Sequence, residues 1–283
     1  MSATLFEELI LAKPYFDREG LIVAEEDGNQ IGFVHAGFGP TDDEKKIDPE
    51  LGVTCLLLVR AHPEQDSIGA ELLARGEAYL RSQGSKLIYA GGIQPLVPFY
   101  WGLYGGSEMP GILDSDAWTQ KLFLAHGYRT IDQVTVFHRD LAGFRPVVDR
   151  RQMHLRRTMK VEVVIDPPYR TWWEACTQGA MNRMRYELRQ GDDVVAWALF
   201  WDMQPLAAAW GINAQGLIRV EVAPDRQKQG MATYLLSEAI RELHQQGVTL
   251  IEAQAMEHNR SAVGLYRKLG FAPIDRGAVL RKE

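Results

Sequence analysis

The sequence predicts an α/β chain made of two tandem copies of one strand-and-helix unit. Three observations carry that prediction. Runs that alternate apolar and polar with period two are interleaved with runs of helical period. The stretch Leu217 to Leu236 passes from an alternating strand (Ile218, Val220, Val222) through a polar loop after Pro224 into a helix start at Gly230-Met231-Ala232. The element order of residues 1–141 then recurs in residues 152–283 in a fixed register. With 283 residues, 46% of them hydrophobic, the chain can bury a core in each of two domains.

Taken in order, residues 2–12 are helix-like and end before Pro14. Leu21 to Ala24 and Ile31 to Val34 flank Asp27-Gly28 as a hairpin, and the loop 39–50 is acidic and solvated. Val53 to Val59 is a continuous apolar strand. Glu71 to Arg81 is an amphipathic helix closed by Gly84, and Lys86 to Ala90 is a further strand. Gly91 to Asp114 is rich in Gly, Pro and aromatic residues and too long for a plain connection, so it is expected to wall a site or a domain interface through Phe99, Tyr100, Trp101 and Tyr104. Ser115 is a candidate cap for a helix to His126, and Gln133 to Phe137 is a strand. Residues 142–151 read as a linker between a domain at 1–141 and one at 152–283.

In the second half, Met184 to Leu188 and Val194 to Phe200 flank Gly191-Asp192 as a hairpin. Strand 217–223, helix 231–246, strand 248–255, helix 259–269 and a last strand near 278–281 follow. Leu80-x-x-Gln83-Gly84-x-x-Leu87-Ile88 recurs as Leu243-x-x-Gln246-Gly247-x-x-Leu250-Ile251 at an offset of 163, as does Leu72-Leu73 as Leu235-Leu236. Gly127-Tyr128 answers Gly270-Phe271 at an offset of 143, and the aromatic insertion accounts for the difference.

Composition narrows the function. The formal charge of -6 divides into 11 Lys+Arg against 21 Asp+Glu over residues 1–141 (-10) and 20 against 16 over the remainder (+4), so the half with the small-residue loop is the basic one. No basic stripe suits nucleic acid, and no run of about 18 apolar residues suits a membrane span. The N-terminus lacks a basic leader, and Cys55 and Cys176 read as buried thiols, which together predict a cytoplasmic protein with no metal site. The loop Gln227-x-x-Gly230-x-Ala232, at a strand-to-helix turn with free helix-start N–H groups, suits a pyrophosphate.

These residues resemble the GNAT superfamily of N-acetyltransferases. The resemblance rests on Gln227-Lys228-Gln229-Gly230-Met231-Ala232 and on the downstream helix signature Asn259-x-x-Ala262-x-x-Leu265-Tyr266-x-x-Leu269-Gly270-Phe271. It implies two tandem domains, each a mixed, mostly antiparallel sheet flanked by helices, with acetyl-CoA as co-substrate held where the fourth and fifth strands splay. It implies that the Val222 N–H faces the thioester carbonyl and that Lys228, Gln229, Gly230, Met231, Ala232 and Thr233 cradle the pyrophosphate beside Gln227. Asn259, also a candidate helix cap, contacts the cofactor arm, and Tyr266 is the general acid for the CoA thiolate.

The family's frequent fourth-strand carboxylate has no counterpart at Gln215-Gly216. Glu221 is therefore the expected base, with Asp202 as the alternative. The acceptor is expected to be a primary amine on a small molecule or peptide, and the protein a monomer or homodimer. A non-catalytic acyl-CoA-binding module and a transferase of another acyl group are the rival readings. In the first half Gln227, Gly230 and Ala232 become Glu64, Ser67 and Gly69, Asn259 becomes Asp116, and Tyr266 becomes Phe123. That copy is expected to be non-catalytic.

Overall fold

The computed structural model describes residues 3–91, 93–96, 98–101, 106–179, 181–203 and 209–283; Tyr104 lies outside them. The chain opens with α1 (Ala3–Phe6), continued by a π-helical turn Glu7–Leu11, and then forms β1 (Leu21–Glu26), β2 (Asn29–Pro40), β3 (Ile47–Val59), α2 (Gln65–Ser82) and β4 (Leu87–Ala90). A short β5 (Ile112–Leu113), α3 (Ala117–Ala125) and β6 (Arg129–Asp140) complete the first half. The second half runs α4 (Arg150–Thr158), β7 (Lys160–Ile165), α5 (Trp172–Gln178), β8 (Arg183–Gln190), β9 (Asp193–Asp202), β10 (Ala214–Val222), α6 (Met231–Gln245), β11 (Leu250–Met256), α7 (Arg260–Lys268) and β12 (Ala272–Lys282).

All described strands join one sheet in the order β1-β2-β3-β4-β12-β6-β11-β10-β9-β8-β7, with β5 on β12. Pairing is antiparallel except at β3·β4 and β10·β11, which are parallel. The repeat legible in the sequence reappears as geometry. Leu51 to Thr54 pair with Leu87 to Ala90, and Ala214 to Leu217 pair with Leu250 to Ala253, every residue displaced by 163. The α3 and α7 helices, 117–125 and 260–268, are displaced by 143, and their caps match: Asp116 accepts from the Thr119 amide and Asn259 from the Ala262 amide. The cap of α3 is thus Asp116 rather than Ser115.

Each half also carries the same bulge. Ladder pairing skips Cys55 between Thr54 and Leu56, and skips Ile218 between Leu217 and Arg219. A bulge bends its strand and ends regular pairing nearby. Beyond it β3 leaves β4 and β10 leaves β11, so each half forks at the same place.

The last strand of each half lies in the middle of the sheet, and the two are exchanged. β12 pairs with β4 of the first half, β6 pairs with β11 of the second, and β6 and β12 pair with each other from Ala272↔His138 to Arg281↔Arg129. Both strands are longer than their apolar alternation suggests, because Pro273 and Gly277 interrupt the pattern of β12 although its backbone stays paired. The α4 helix also departs from expectation: Asp149 caps it by accepting from the Gln152 amide, so Arg150 and Arg151, read as the end of the linker, lie in a helix.

Three cores result. One packs α2 and α3 on the first half of the sheet, and one packs α6 on the second. The third joins Phe99, Tyr100, Trp101 and Met109 of the insertion to Met181, Trp201, Met203 and Ala214, so the described part of the aromatic segment glues the two halves. Cys55 is inside this cluster and Cys176 is half-buried, and both are free thiols.

Leu280, almost the last residue, is fully buried in the first half's core. Leu280→Ala should cost about 3 kcal/mol. Because the exchanged strands tie the halves together, scanning calorimetry should show one transition moved down in temperature; two separated transitions would contradict that coupling.

Candidate active site

The loop between β10 and α6 sets the character of the site. Lys228 (φ 58) and Gly230 (φ 85) both adopt left-handed backbone, which turns successive N–H groups toward one side as an anion nest. None of the backbone N–H groups from Lys228 to Thr233 finds an acceptor among the described residues; the first bond inward is Tyr234 N–H to the Gly230 carbonyl, 3.0 Å. Gly230 packs against α4, where Gln152 Nε2 donates to its carbonyl (3.4 Å) and Arg151 donates to the Lys228 carbonyl (3.4 Å). A Cβ at Gly230 would lie 2.7 Å from Arg151 Cδ of an exposed side chain that can shift, so it is the left-handed φ that favours glycine here.

Above the loop, the fork between β10 and β11 opens a cleft of about 630 Å³. Its lining includes Val222, Gln227, Lys228, Gly230, Met231, Ala232, Thr233, Asn259 and Tyr266, which the sequence had singled out, with Arg226 and Lys268 adding positive charge. Ala223 donates to the Val195 carbonyl on β9, so by strand alternation the Val222 N–H points the other way, into the fork. Gln227 also ties the loop back to the Val222 carbonyl (3.4 Å). Gln229 is not in the lining; its side chain donates to the Asp225 carbonyl (2.9 Å) and braces the loop from outside. Asn259 both caps α7 and reaches the cleft.

Tyr266 is 6% exposed, held between Phe137 and Phe271 at ring distances of 5.7 and 5.4 Å. Burial first, and the charge of Glu108 second, push its phenol well above the ordinary value, so it carries its proton at neutral pH. Its hydroxyl makes no hydrogen bond among the described residues, which leaves it available to the cleft.

Glu221 sits elsewhere. It faces away from Val222, is 46% exposed, and is paired with Arg170 (3.1 Å) and Arg219 (3.7 Å) outside the cleft lining. Two other acidic residues, which sequence reading missed, meet where the insertion crosses β11. Glu252 on β11 is 2% exposed and accepts from Ser107 N (2.5 Å), Ser107 Oγ (3.0 Å), His138 Nε2 (3.1 Å) and Gln254 Nε2 (3.2 Å). Glu108 follows Ser107 on the insertion, and its carbonyl accepts from Gln254 Nε2 (2.9 Å). Burial, then the charge of Glu252, raise the Glu108 carboxyl to about 8. The available signal was a single acid in an aromatic and glycine run, and another acid in the apolar strand Leu250–Met256.

The equivalent fork in the first half is closed. Its cavity is about 30 Å³, bounded by Thr54 to Leu58 on β3 and by Asp116, Thr119 and Phe123, and Met109, Gly111 and Ile112 of the insertion lie in it. Its loop is shorter and satisfies itself: His62 Nδ1 accepts from the Glu64 amide (3.1 Å) and the His62 carbonyl from the Gln65 amide (3.1 Å).

With this geometry in hand, comparison with known proteins points the same way. The acetyltransferase (GNAT) family model matches residues 151–271. The [ribosomal protein bS18]-alanine N-acetyltransferase of Escherichia coli strain K12 is 38% identical over 55 residues, 19% of this chain and 37% of that protein, so the alignment spans little more than a third of the relative's length. Among solved structures, a tandem GNAT protein from the clavulanic acid biosynthesis pathway superposes with a TM-score of 0.63 at 15% identity, covering 92% of this chain and 81% of that one. A GCN5-related N-acetyltransferase from Sphaerobacter thermophilus gives 0.61 at 16% identity, covering 94% and 81%. At such identities the superpositions establish the fold.

Glu252 fastens the insertion to the second half, so Glu252→Ala should leave the Ser107 and Gln254 donors unpaired and cost about 3 kcal/mol. Urea unfolding checks this; a loss under about 0.5 kcal/mol, the range of an ordinary surface change, would contradict it.

Proposed function

We propose that the chain is an N-acetyltransferase moving an acetyl group from acetyl-CoA to a primary amine, with its one working site in the cleft between β10 and β11; the premise is the match of residues 151–271 to the acetyltransferase (GNAT) family model. The observation that carries this reading is the contrast between two forks of the same geometry. One is open, about 630 Å³, and floored by unpaired N–H groups; the other is about 30 Å³ and filled.

In the open cleft the N–H groups from Lys228 to Thr233, with Arg226, Lys228 and Lys268 nearby, meet the pyrophosphate, helped by the dipole of α6. The pantetheine arm lies in the fork along Val222 and Asn259. The Val222 N–H polarises the thioester carbonyl, the amine nitrogen attacks its carbon, and the C–S bond breaks as the tetrahedral intermediate collapses. Tyr266 gives its proton to the departing thiolate. Neither cysteine lines the cleft, which favours direct transfer over an acetyl-cysteine intermediate. The acceptor is a small-molecule or peptide amine; a peptide amine is the kind of group named for the bacterial relative.

We assign residues 1–141 to a degenerate, non-catalytic copy, 142–151 to the linker, and 152–283 to the catalytic copy, with β6 and β12 exchanged between them. The degenerate copy supplies structure: its insertion packs against Trp201 and Ala214 of the catalytic copy.

Tyr266→Phe should lower kcat by about 10- to 100-fold, within the lower range of general acid catalysis, while leaving the dissociation constant for acetyl-CoA unchanged. Release of free thiol in the presence of a panel of amines measures the first and calorimetry the second. An unaltered kcat would remove Tyr266 from the chemistry. Saturable acetyl-CoA binding with no amine-dependent thiol release in the native protein would overturn the transferase reading itself.

A further inference from the structure

We infer that Glu108, carried by the first half's insertion, is the general base of the second half's active site. This rests on the acetyltransferase reading above. The catalytic cleft is then composite: acid and cofactor loop come from one half, the base from the other.

The placement follows from packing. The insertion is anchored on β12, where β5 pairs at Gly277↔Leu113 and Ala278↔Ile112. A side chain at Gly277 would collide with the Pro110 carbonyl, so the strand is bare where the segment crosses it. From there the segment runs over β11 and β10. A Cβ at Gly106 would lie 2.6 Å from Glu252 Oε1, and one at Gly216 would lie 2.7 Å from Ser107 Cβ. Trp201 Nε1 donates to the Ser107 carbonyl (3.1 Å) and Gln254 Nε2 to the Glu108 carbonyl (2.9 Å). Gly216 thus yields its side-chain space on β10 to Ser107, and the main chain of the next residue, Glu108, is fastened through its carbonyl to Gln254, which lines the cleft.

The other carboxylates near the fork are committed elsewhere. Glu252 accepts four hydrogen bonds, and Glu221 is held by Arg170 and by Arg219, which itself lines the cleft. No hydrogen bond or ion pair to the Glu108 carboxylate occurs among the described residues, and its charge reaches Tyr266 on α7. The charged and titratable groups around it are Glu252 on β11, His138 on β6 bonded to Glu252, Tyr266 on α7, and Arg219 on β10 at the cleft. Burial and the like charge of Glu252 raise Glu108 to about 8, near the value a base needs to take a proton from an ammonium group around neutral pH. In the step assigned to it, the Glu108 carboxylate takes a proton from the acceptor ammonium, and the lone pair so freed on nitrogen forms the bond to the thioester carbonyl carbon. The C–S pair leaves on sulfur, where the Tyr266 proton arrives.

The test compares Glu108→Gln with Glu108→Asp in the full chain, reading kcat and kcat/KM for an amine accepted by the native protein from pH 6 to pH 10, beside acetyl-CoA affinity. The native profile should rise to a plateau with an inflection near 8. Glu108→Gln should lose about 100-fold or more in kcat and lose that inflection, with acetyl-CoA affinity intact. Glu108→Asp should keep the inflection and part of the rate. Equal behaviour of the two variants, or a Gln variant with native rate and profile, overturns Glu108 while leaving the acetyltransferase reading standing. Absence of amine-dependent turnover in the native chain overturns both.

Discussion

The antiparallel pairing of β6 with β12 is the constraint on which the rest of the molecule depends. Each of these strands ends one copy of the unit yet pairs with the other copy's neighbouring strand as well as with its twin. The halves therefore share one sheet, and neither can complete its ladder alone. The register of the central pairs also sets the chemistry, since β6·β11 pairing puts His138 opposite Glu252, and β12 provides the bare backbone at Gly277 over which the insertion passes.

Given that frame, the same fork has two fates. Cys55 and Ile218 bulge at equivalent positions, so both halves splay their parallel pair. In the second half the long loop with Lys228 and Gly230 in left-handed backbone leaves its N–H groups unpaired, and the fork stays open. In the first half His62 satisfies the shorter loop, Met109 and Ile112 fill the fork, and Phe123 stands where Tyr266 would give a proton. The filling of one fork is also what aims the insertion at the other, because the chain that seals the first continues directly from Ser107 and Glu108.

Much of this was legible in the residues. The offset of 163 read from Leu80-Gln83-Gly84-Leu87 is the offset of the paired β strands, and the offset of 143 is that of the α3 and α7 helices and their caps. The strand-to-helix loop after β10 was legible because its backbone conformation is local, which Gly230 and Ala232 betray. The strand exchange was not, because ladder partners leave no trace in periodicity. Nor was β7, or the extent of β12 past Pro273 and Gly277. Glu221 stood out as a charge in an apolar strand, but that alternation also places it on the outer face, where Arg170 and Arg219 hold it. Glu108 was hidden for the opposite reason: its role comes from a tertiary crossing more than 100 residues away in sequence from Glu252 and Tyr266.

The central claim is that two copies of one fold retain a single cofactor site, and binding stoichiometry tests it most directly. Titration of the purified full chain with acetyl-CoA in a calorimeter should saturate at one equivalent per chain. Saturation at two equivalents would contradict the account, since it would require the first half's fork, here about 30 Å³, to open and admit a second cofactor.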